Sequence, residues 1–292
     1  MDSLIDTHEL ERALEDPRLR VFDATVHFAP GKGGRSGRTD WEAGHIPGSR
    51  FVDLLAELSD PESSLPYTRP STVRLEVALG QLGISEDSRV VVYGAAPENT
   101  MWATRLWWLL RSAGLENVAL LDGSFTKWKA EVRPVSTDPC VHGPTSLRAR
   151  PDEAWWATKQ EVRAAIGSGS VCTLNALPRS LHTGEAEMGY GRPGRIAGSR
   201  NAPFTGVLDP ETGTLRSDPE LCEHFQPAGA LDRERVISYC GGGIAATLNG
   251  FALRRLGHPN VGVYDGSINE WSRNAELPME TGEEENPNRA RS

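Results

Sequence analysis

The chain repeats itself, because three short sequence words occur twice and in the same order along its two halves. The pairs are GHIPGSR at 44–50 with GRIAGSR at 194–200, RVVVYG at 89–94 with RVISYC at 235–240, and LDGSFTKW at 121–128 with YDGSINEW at 264–271. The copies lie 143 to 150 residues apart in a chain of 292 residues. This spacing predicts two similar domains of ordinary size, arranged in tandem.

Each half alternates short β-branched runs with helical stretches, which is typical of a parallel sheet covered by helices. We predict strands at 20–23, 90–93, 118–121, 171–174, 236–239 and 261–264, and helices over 99–112 and 245–256. The three tryptophans at 102, 107 and 108 are expected in the core. The fold class is therefore α/β, with two tandem domains that each contain a parallel sheet flanked by helices.

The predicted domain limits follow the composition of the connecting segments. The first domain covers residues 1–138 and the second covers residues 155–280, with a linker at 139–154 that contains Pro139, Gly143 and Pro144. Residues 281–292 are charged and lack large apolar side chains, so we expect a disordered tail.

Composition excludes several classes of function. A net charge of −9 and a pI of about 5.4 provide no basic face for nucleic acid. No long uncharged apolar run is present, so we expect no membrane span. The acidic start of the chain lacks the pattern of a secretory signal, which favours a cytoplasmic protein. The four cysteines show no metal-ligand spacing, and we expect free thiols and no metal.

The segment VISYCGGGIAA at 236–246 combines a buried strand, a cysteine, three glycines and the start of a helix. The glycines let the backbone turn tightly, so that successive N–H groups can point at a common centre. The helix adds the positive end of its dipole. Cys240, at the mouth of this cradle and without apolar burial, is the predicted nucleophile and persulfide carrier. The predicted cradle residues are Gly241, Gly242, Gly243, Ile244 and Ala245.

Three alternatives to sulfur transfer exist for this loop. Gly241, Gly243 and Ala246 fit the G-x-G-x-x-A pattern of dinucleotide binding, but the equivalent loop at 94–99 keeps none of it. A cysteine phosphatase needs an arginine to close the loop around phosphate, and that position is Ala246. A buried strand-end cysteine with glycines for packing stays open as a purely structural alternative.

The repeated words, the tandem arrangement and the CGGGIAA loop together resemble the two-domain rhodaneses, which are thiosulfate and 3-mercaptopyruvate sulfurtransferases. The resemblance covers about residues 4–278. It implies a first domain that has lost its catalytic cysteine at Gly94, a catalytic second domain with Cys240, and an active site between the halves.

The resemblance implies a sulfurtransferase that needs no metal or organic cofactor, because the cysteine itself carries the sulfur. A small anionic donor would load Cys240, and a thiol, cyanide or a protein would accept the sulfur. The alternative is a catalytically silent rhodanese-like binding module, in which the cleft recognises a ligand without turnover. The reactivity of Cys240 distinguishes the two hypotheses.

The donor is harder to predict from the loop. Thiosulfate enzymes place cations just after the cysteine, whereas mercaptopyruvate enzymes read CGSGVTA, so this loop resembles the second group more closely. Their serine and threonine correspond to Gly242 and Ala245 here, and a hydroxyl that helps to move protons is missing. We expect 3-mercaptopyruvate to be the better donor, because thiosulfate brings two negative charges close to the thiolate.

The family keeps anion-binding arginines in the segment that corresponds to residues 179–195. Its usual Asp-x-Arg word reads Asn175-Ala-Leu177 here, so the match is incomplete. Candidate donor-binding residues are Arg179, Arg192, Arg195 and, from the first domain, His45. A solvated arginine and a structural turn histidine are the alternatives. Asp122 and Asp265 are expected to be turn and helix-capping residues.

Overall fold

The computed structural model describes residues 3–29 and 33–284, which form two α/β units, each built on a five-stranded parallel sheet. In the first half the strands are β1 (Leu4–Ile5), β2 (Leu19–Asp23), β3 (Val26–Ala29), β4 (Gly33–Ser36), β5 (Ser49–Phe51), β6 (Arg89–Tyr93) and β7 (Val118–Leu121). The helices are α1 (Thr7–Ala13), α2 (Arg38–Ala43), α3 (Leu54–Glu57), α4 (Thr72–Gln81), α5 (Thr100–Ser112) and α6 (Ser124–Ala130). The sheet order is β1-β7-β6-β2-β5, and β3 pairs with β4 in an antiparallel hairpin.

The second half repeats this plan. Its strands are β8 (Trp156–Ala157), β9 (Val171–Asn175), β10 (Arg195–Ile196), β11 (Arg200–Asn201), β12 (Arg235–Tyr239), β13 (Val261–Tyr264) and β14 (Met279–Glu280). Its helices are α7 (Lys159–Ala165), α8 (Arg179–Thr183), α9 (Asp218–Phe225), α10 (Ala245–Arg255) and α11 (Ser267–Trp271). The sheet order β11-β9-β12-β13-β8 matches the first sheet strand for strand when that sheet is read in reverse, as β5-β2-β6-β7-β1. Strands β10 and β14 pair antiparallel.

The predicted fold class is confirmed, and the predicted strands and helices agree with the structure to within about one residue. The central strands were predictable because they are buried on both faces and therefore read as continuous apolar runs. In β12, for example, Val236, Ile237 and Tyr239 are at most 1% exposed. None of the described helices is long and apolar enough to cross a membrane.

The repeated words make the same contacts in both halves. The Tyr93 hydroxyl lies 2.9 Å from Ser49 Oγ, and the Tyr239 hydroxyl lies 2.7 Å from Ser199 Oγ. These bonds tie the central strand of each sheet to the turn of its Gly-Ser word. The repeated tryptophans also act alike, since the indole of Trp128 donates to a proline carbonyl at 2.7 Å and that of Trp271 to another at 3.0 Å.

The two halves pack against each other through α5 and α10. A Cβ atom added to Gly250 would lie 2.7 Å from Cζ3 of Trp108, so the helices approach closely at this glycine. Trp107 meets Phe251 edge-on, with ring centroids 4.9 Å apart. The three tryptophans of α5 are at most 3% exposed, which confirms their predicted place in the core.

Two equivalent aspartates reach across the interface in opposite directions. Asp122 accepts the backbone N–H of Leu215 at 2.7 Å, and Asp265 accepts that of Arg69 at 2.7 Å. Asp265 also binds the guanidinium of Arg105, which is 1% exposed, at 2.6 Å. The predicted capping role of both aspartates is wrong, because α6 and α11 receive no side-chain hydrogen bond at their N-caps. We call this pair of contacts the aspartate clasp.

The connecting segment lies along the first half. The backbone N–H of Thr145 donates to Gly80 at 2.9 Å, and that of Ala149 donates to the Glu76 carboxylate at 2.8 Å. The domain limits given above stay a prediction. In the predicted tail, the carboxylate of Glu284 accepts the Asn201 N–H at 2.9 Å, and residues 285–292 lie outside the described residues.

Candidate active site

Cys240 is the first residue after β12, at the edge of the sheet where the carboxyl ends of the parallel strands meet. Ligands of open α/β sheets bind at this edge. The residue is 2% exposed and belongs to the hydrophobic core cluster. The expectation of an open cradle without apolar burial is therefore wrong, because other side chains cover the thiol.

Ser267 holds the Cys240 loop in place. Its Oγ accepts the N–H groups of Cys240 at 3.1 Å and Gly243 at 3.0 Å, and it donates to the Tyr264 carbonyl at 2.7 Å. Ser267 was not among the predicted site residues, although the repeated Asp-Gly-Ser word contained the signal. In the first half the equivalent hydroxyl, Ser124 Oγ, is buried without a hydrogen bond.

Most of the remaining N–H groups of the loop have no hydrogen-bond partner among the described residues. In the described part of the chain, the amides of Gly241, Gly242, Ile244 and Ala245 form no hydrogen bond. The amide of Gly243 was predicted to join them, but it binds Ser267 instead. Four of the five predicted cradle residues therefore keep a backbone donor at the start of α10, where the helix dipole also favours negative charge.

The first half cannot hold a second copy of this site. A Cβ atom added to Gly94 would lie 2.7 Å from Cβ of Asn99 and 2.8 Å from its carbonyl oxygen. Both distances are below any normal contact, so a cysteine side chain has no room at this position. Of the two equivalent loops, the one after β12 therefore has the cysteine.

Two of the candidate arginines bind backbone carbonyls instead of facing Cys240. Arg192 donates to three carbonyls of the segment 272–277, at distances of 2.7 to 3.1 Å. Arg195 is 4% exposed, donates to the Gly282 carbonyl at 2.6 Å and pairs with Glu280 at 3.2 Å. Their guanidinium groups hold the end of the second domain together.

The other two candidates also make structural contacts. The side chain of Arg179 is 61% exposed and pairs with Glu283. His45 is fully buried in the first half, with Nδ1 2.7 Å from the Trp41 carbonyl and Nε2 3.0 Å from the Asp138 carbonyl. Its ring stacks on Trp41 with centroids 4.1 Å apart. The structure does not bring Arg179 or His45 into contact with the Cys240 loop.

Two side chains that sequence reasoning missed lie beside Cys240. A Cβ atom added to Gly241 would lie 2.8 Å from the Tyr190 hydroxyl and 2.9 Å from Cε of Met188. Both residues belong to the stretch 184–194, which connects α8 to β10, and we call it the covering segment. The flanking glycines of Tyr190, Gly189 and Gly191, adopt positive φ values of 81° and 65°, and a Gly-Tyr-Gly word in a loop was the available signal.

A cavity of about 580 Å³ opens between the halves, and its wall does not include the residues of the Cys240 loop. Its walls come from residues 63–69 of the first half and from residues 157–160 and 264–273 of the second. Arg273 lies in the wall, and its Nε donates to Asn269 Oδ1 at 3.0 Å. No group of three or more His, Cys, Asp or Glu in the described residues is arranged to hold a metal ion.

Comparison with known proteins gives one consistent result. A profile of the rhodanese-like domain matches residues 6–131 and 181–274. The 3-mercaptopyruvate sulfurtransferase of Escherichia coli K12 is 31% identical, over 93% of this chain and 95% of that protein. The thiosulfate sulfurtransferase of Cricetulus griseus is 32% identical, over 91% of this chain and 88% of that protein. The crystal structure of SseA, an Escherichia coli 3-mercaptopyruvate sulfotransferase, superposes with a TM-score of 0.79 at 28% identity and covers 91% of this chain and 99% of that one.

Proposed function

Because this chain belongs to the rhodanese family and is a sulfurtransferase like its two-domain members, we propose that it transfers sulfur through a persulfide on Cys240. The observation that carries the proposal is the Cys240 loop. It combines a cysteine at the end of β12, four N–H groups without partners in the described residues, and the start of α10. These groups suit a thiolate and the terminal sulfur of a persulfide.

The first half-reaction loads the cysteine. With 3-mercaptopyruvate, the Cys240 thiolate attacks the donor sulfur, an S–S bond forms and the C–S bond breaks. The enolate of pyruvate leaves with the electron pair of that bond and then takes a proton from water. With thiosulfate, the same attack breaks the S–S bond of the donor and releases sulfite with the electron pair.

The second half-reaction returns the enzyme to its thiolate form. An acceptor nucleophile, which is a thiolate, cyanide or a protein cysteine, attacks the terminal sulfur of the persulfide. A new bond to the acceptor forms, the S–S bond to Cys240 breaks and the thiolate leaves. Because the two half-reactions are separate, the kinetics are ping-pong.

We further propose 3-mercaptopyruvate as the preferred donor. The loop contributes no cationic side chain, and the arginines at 179, 192 and 195 pair with groups away from it. Thiosulfate brings two negative charges towards a thiolate, whereas mercaptopyruvate brings a single carboxylate. A higher kcat/KM with thiosulfate than with 3-mercaptopyruvate would contradict this preference.

The cellular setting is part of the same proposal. Cys140, Cys172, Cys222 and Cys240 are all free thiols, which suits a reducing compartment such as the cytoplasm. Small anions and thiols are the expected partners, and the net charge of −9 does not favour nucleic acid.

The decisive experiment compares two buried cysteines. Cys240→Ser is expected to abolish thiocyanate formation from either donor, because a hydroxyl cannot carry sulfane sulfur. Cys172→Ser is the matched control, since Cys172 is also buried but lies within β9 and contacts the Ala228 carbonyl. Mass spectrometry of the donor-treated protein should show one added sulfur atom on the Cys240 peptide. Full activity in Cys240→Ser would overturn the proposal.

The same measurement tests the silent binding module. A module without turnover would gain no sulfur on Cys240 with either donor, yet it would still bind one of them.

A further inference from the structure

The loop after Cys240 cannot by itself recognise an anionic donor through side chains. Its next five residues are three glycines, an isoleucine and an alanine, so it offers backbone N–H groups to an anion and has no polar side chain. The arginines expected to compensate pair elsewhere. Any hydroxyl or cation that contacts the donor must therefore come from another element.

The Tyr190 hydroxyl is the group that the fold places against this loop. It lies 2.8 Å from the position that a Cβ atom at Gly241 would occupy, and Gly241 follows Cys240 directly in the chain. In the described part of the chain the hydroxyl forms no hydrogen bond. It is thus an O–H donor without a partner beside the nucleophile.

The electrostatic surroundings keep this hydroxyl protonated. Burial raises the pKa of Tyr190, and a negative charge on Cys240 raises it further, while the positive charge of Arg273 acts in the opposite direction. A phenol with a raised pKa remains a hydrogen-bond donor throughout the neutral range.

Arg273 supplies the cation on the same side. It is exposed, its Nε donates to Asn269 Oδ1 at 3.0 Å, and the Asn269 N–H donates to the Gly241 carbonyl at 3.0 Å. Within the described residues its two terminal nitrogens make no hydrogen bond or ion pair. The side chain also lines the cavity of about 580 Å³ between the halves, but neither Cys240 nor Tyr190 belongs to the wall of that cavity. What connects Arg273 to the Cys240 loop is the contact through Asn269.

We propose that Tyr190 is a catalytic residue for a thiol-bearing 2-oxo acid donor, and that Arg273 binds the carboxylate of that donor. The hydroxyl donates a hydrogen bond to the carbonyl oxygen of the donor. When the C–S bond breaks, negative charge moves from carbon onto this oxygen in the enolate, and the hydrogen bond strengthens. The proposal rests on the proposed function and names the groups that select its donor.

The two donors separate this role from a structural one. With 3-mercaptopyruvate, Tyr190→Phe is expected to lower kcat about 100-fold with little change in KM, because one donor to a developing oxyanion is lost. With thiosulfate no enolate forms, and the same variant should stay within about 3-fold of the unmodified enzyme. Equal losses with both donors, or no loss with 3-mercaptopyruvate, would overturn the assignment.

Arg273 is tested by substitution and partial rescue. Arg273→Gln should raise KM for 3-mercaptopyruvate about 10-fold, and Arg273→Lys should restore part of that loss because it keeps the charge. Arg163→Gln, at an exposed arginine on α7, is the control and should change nothing. An unchanged KM in Arg273→Gln would remove Arg273 from the site. Persulfide formation in the unmodified enzyme, measured in parallel, reports on the proposed function separately.

Discussion

At the residue scale, the three glycines of the Cys240 loop have different surroundings. Gly243 has a φ of +76°, and an added Cβ atom would lie 2.7 Å from the Asp265 carbonyl oxygen, so no other residue fits. Gly241 faces Tyr190 and Met188 of the covering segment. A Cβ atom added to Gly242 would meet nothing within 4 Å. The three positions therefore tolerate substitution to very different degrees.

Gly242→Ser is expected to fold like the unmodified protein and to raise kcat with 3-mercaptopyruvate several-fold, because it adds the hydroxyl that the loop lacks. Gly241→Ala should lower kcat at least about 10-fold, because its methyl group displaces the Tyr190 hydroxyl by ångström-scale shifts. Steady-state kinetics with urea unfolding curves check both variants. Loss of folding in Gly242→Ser, or full activity in Gly241→Ala, would contradict this reading of the loop.

Individual residues also show which parts of the candidate site could be predicted from the sequence and which could not. Cys240 and its loop were predictable, because a strand, a cysteine and three glycines are contiguous. The arginines were not, because a long side chain takes its partners from tertiary contacts, and Arg192 finds them about 80 residues further along the chain. Tyr190 was missed for the same reason, since its contact with Gly241 spans about 50 residues. An arginine at position 241 would meet Tyr190 and Met188.

At the scale of elements, the buried strands and the two long helices were predictable, and the short strands were not. The central strands are uninterrupted apolar runs, and α10 ends two residues before Gly257, which has a positive φ of 86°. Strands β1 and β8 contain only two residues each, so no alternation pattern can develop in them. Their positions at the edges of the sheets depend on pairing with β7 and β13.

The crossing of α5 and α10 depends on one glycine. Gly250→Ala is expected to lower the free energy of unfolding by about 1–3 kcal/mol, because its Cβ atom would overlap the ring of Trp108. This expected loss is the net of the overlap and of the gain of about 1 kcal/mol that alanine brings to a helix interior. The measurement is chemical denaturation of the full chain.

A double-mutant cycle identifies the cause of that loss. Trp108→Phe removes the ring atoms that Gly250→Ala would meet, so the double variant should be more stable than the sum of the single effects predicts. Additive losses would show that the glycine matters for another reason.

At the scale of the whole molecule, the aspartate clasp joins halves of unequal chemical capacity. Each half contributes one aspartate to the interface, and the two accepting contacts have the same length of 2.7 Å. Only the second aspartate also neutralises a buried cation, Arg105, which in addition donates to the Gly243 carbonyl at 3.3 Å. The two backbone contacts of the interface are thus alike, and a buried ion pair accompanies the contact of Asp265. This Arg105–Asp265 pair lies next to the Cys240 loop.

Asp265→Asn is expected to lower the free energy of unfolding by about 3–5 kcal/mol, because the buried Arg105 loses its counter-charge. Asp122→Asn is the matched control, since an amide oxygen can still accept the Leu215 N–H and no buried cation is exposed to loss. Its cost should be about 1 kcal/mol or less. Urea denaturation of both variants measures the difference, and equal losses would mean that Arg105 does not depend on Asp265.

The aspartate clasp also limits how far the two halves can separate around Cys240. Swinging the halves apart would break both aspartate contacts, the Arg105 pair and the tryptophan-rich helix crossing together, so a hinge opening between them is costly. Cys240 is nevertheless 2% exposed, and Met188 and Tyr190 lie over the adjoining glycine. Met188 and Tyr190 of the covering segment therefore shield the loop on the side of Gly241. Under the proposed function, the same burial would protect a persulfide on Cys240 from oxidants in bulk solvent.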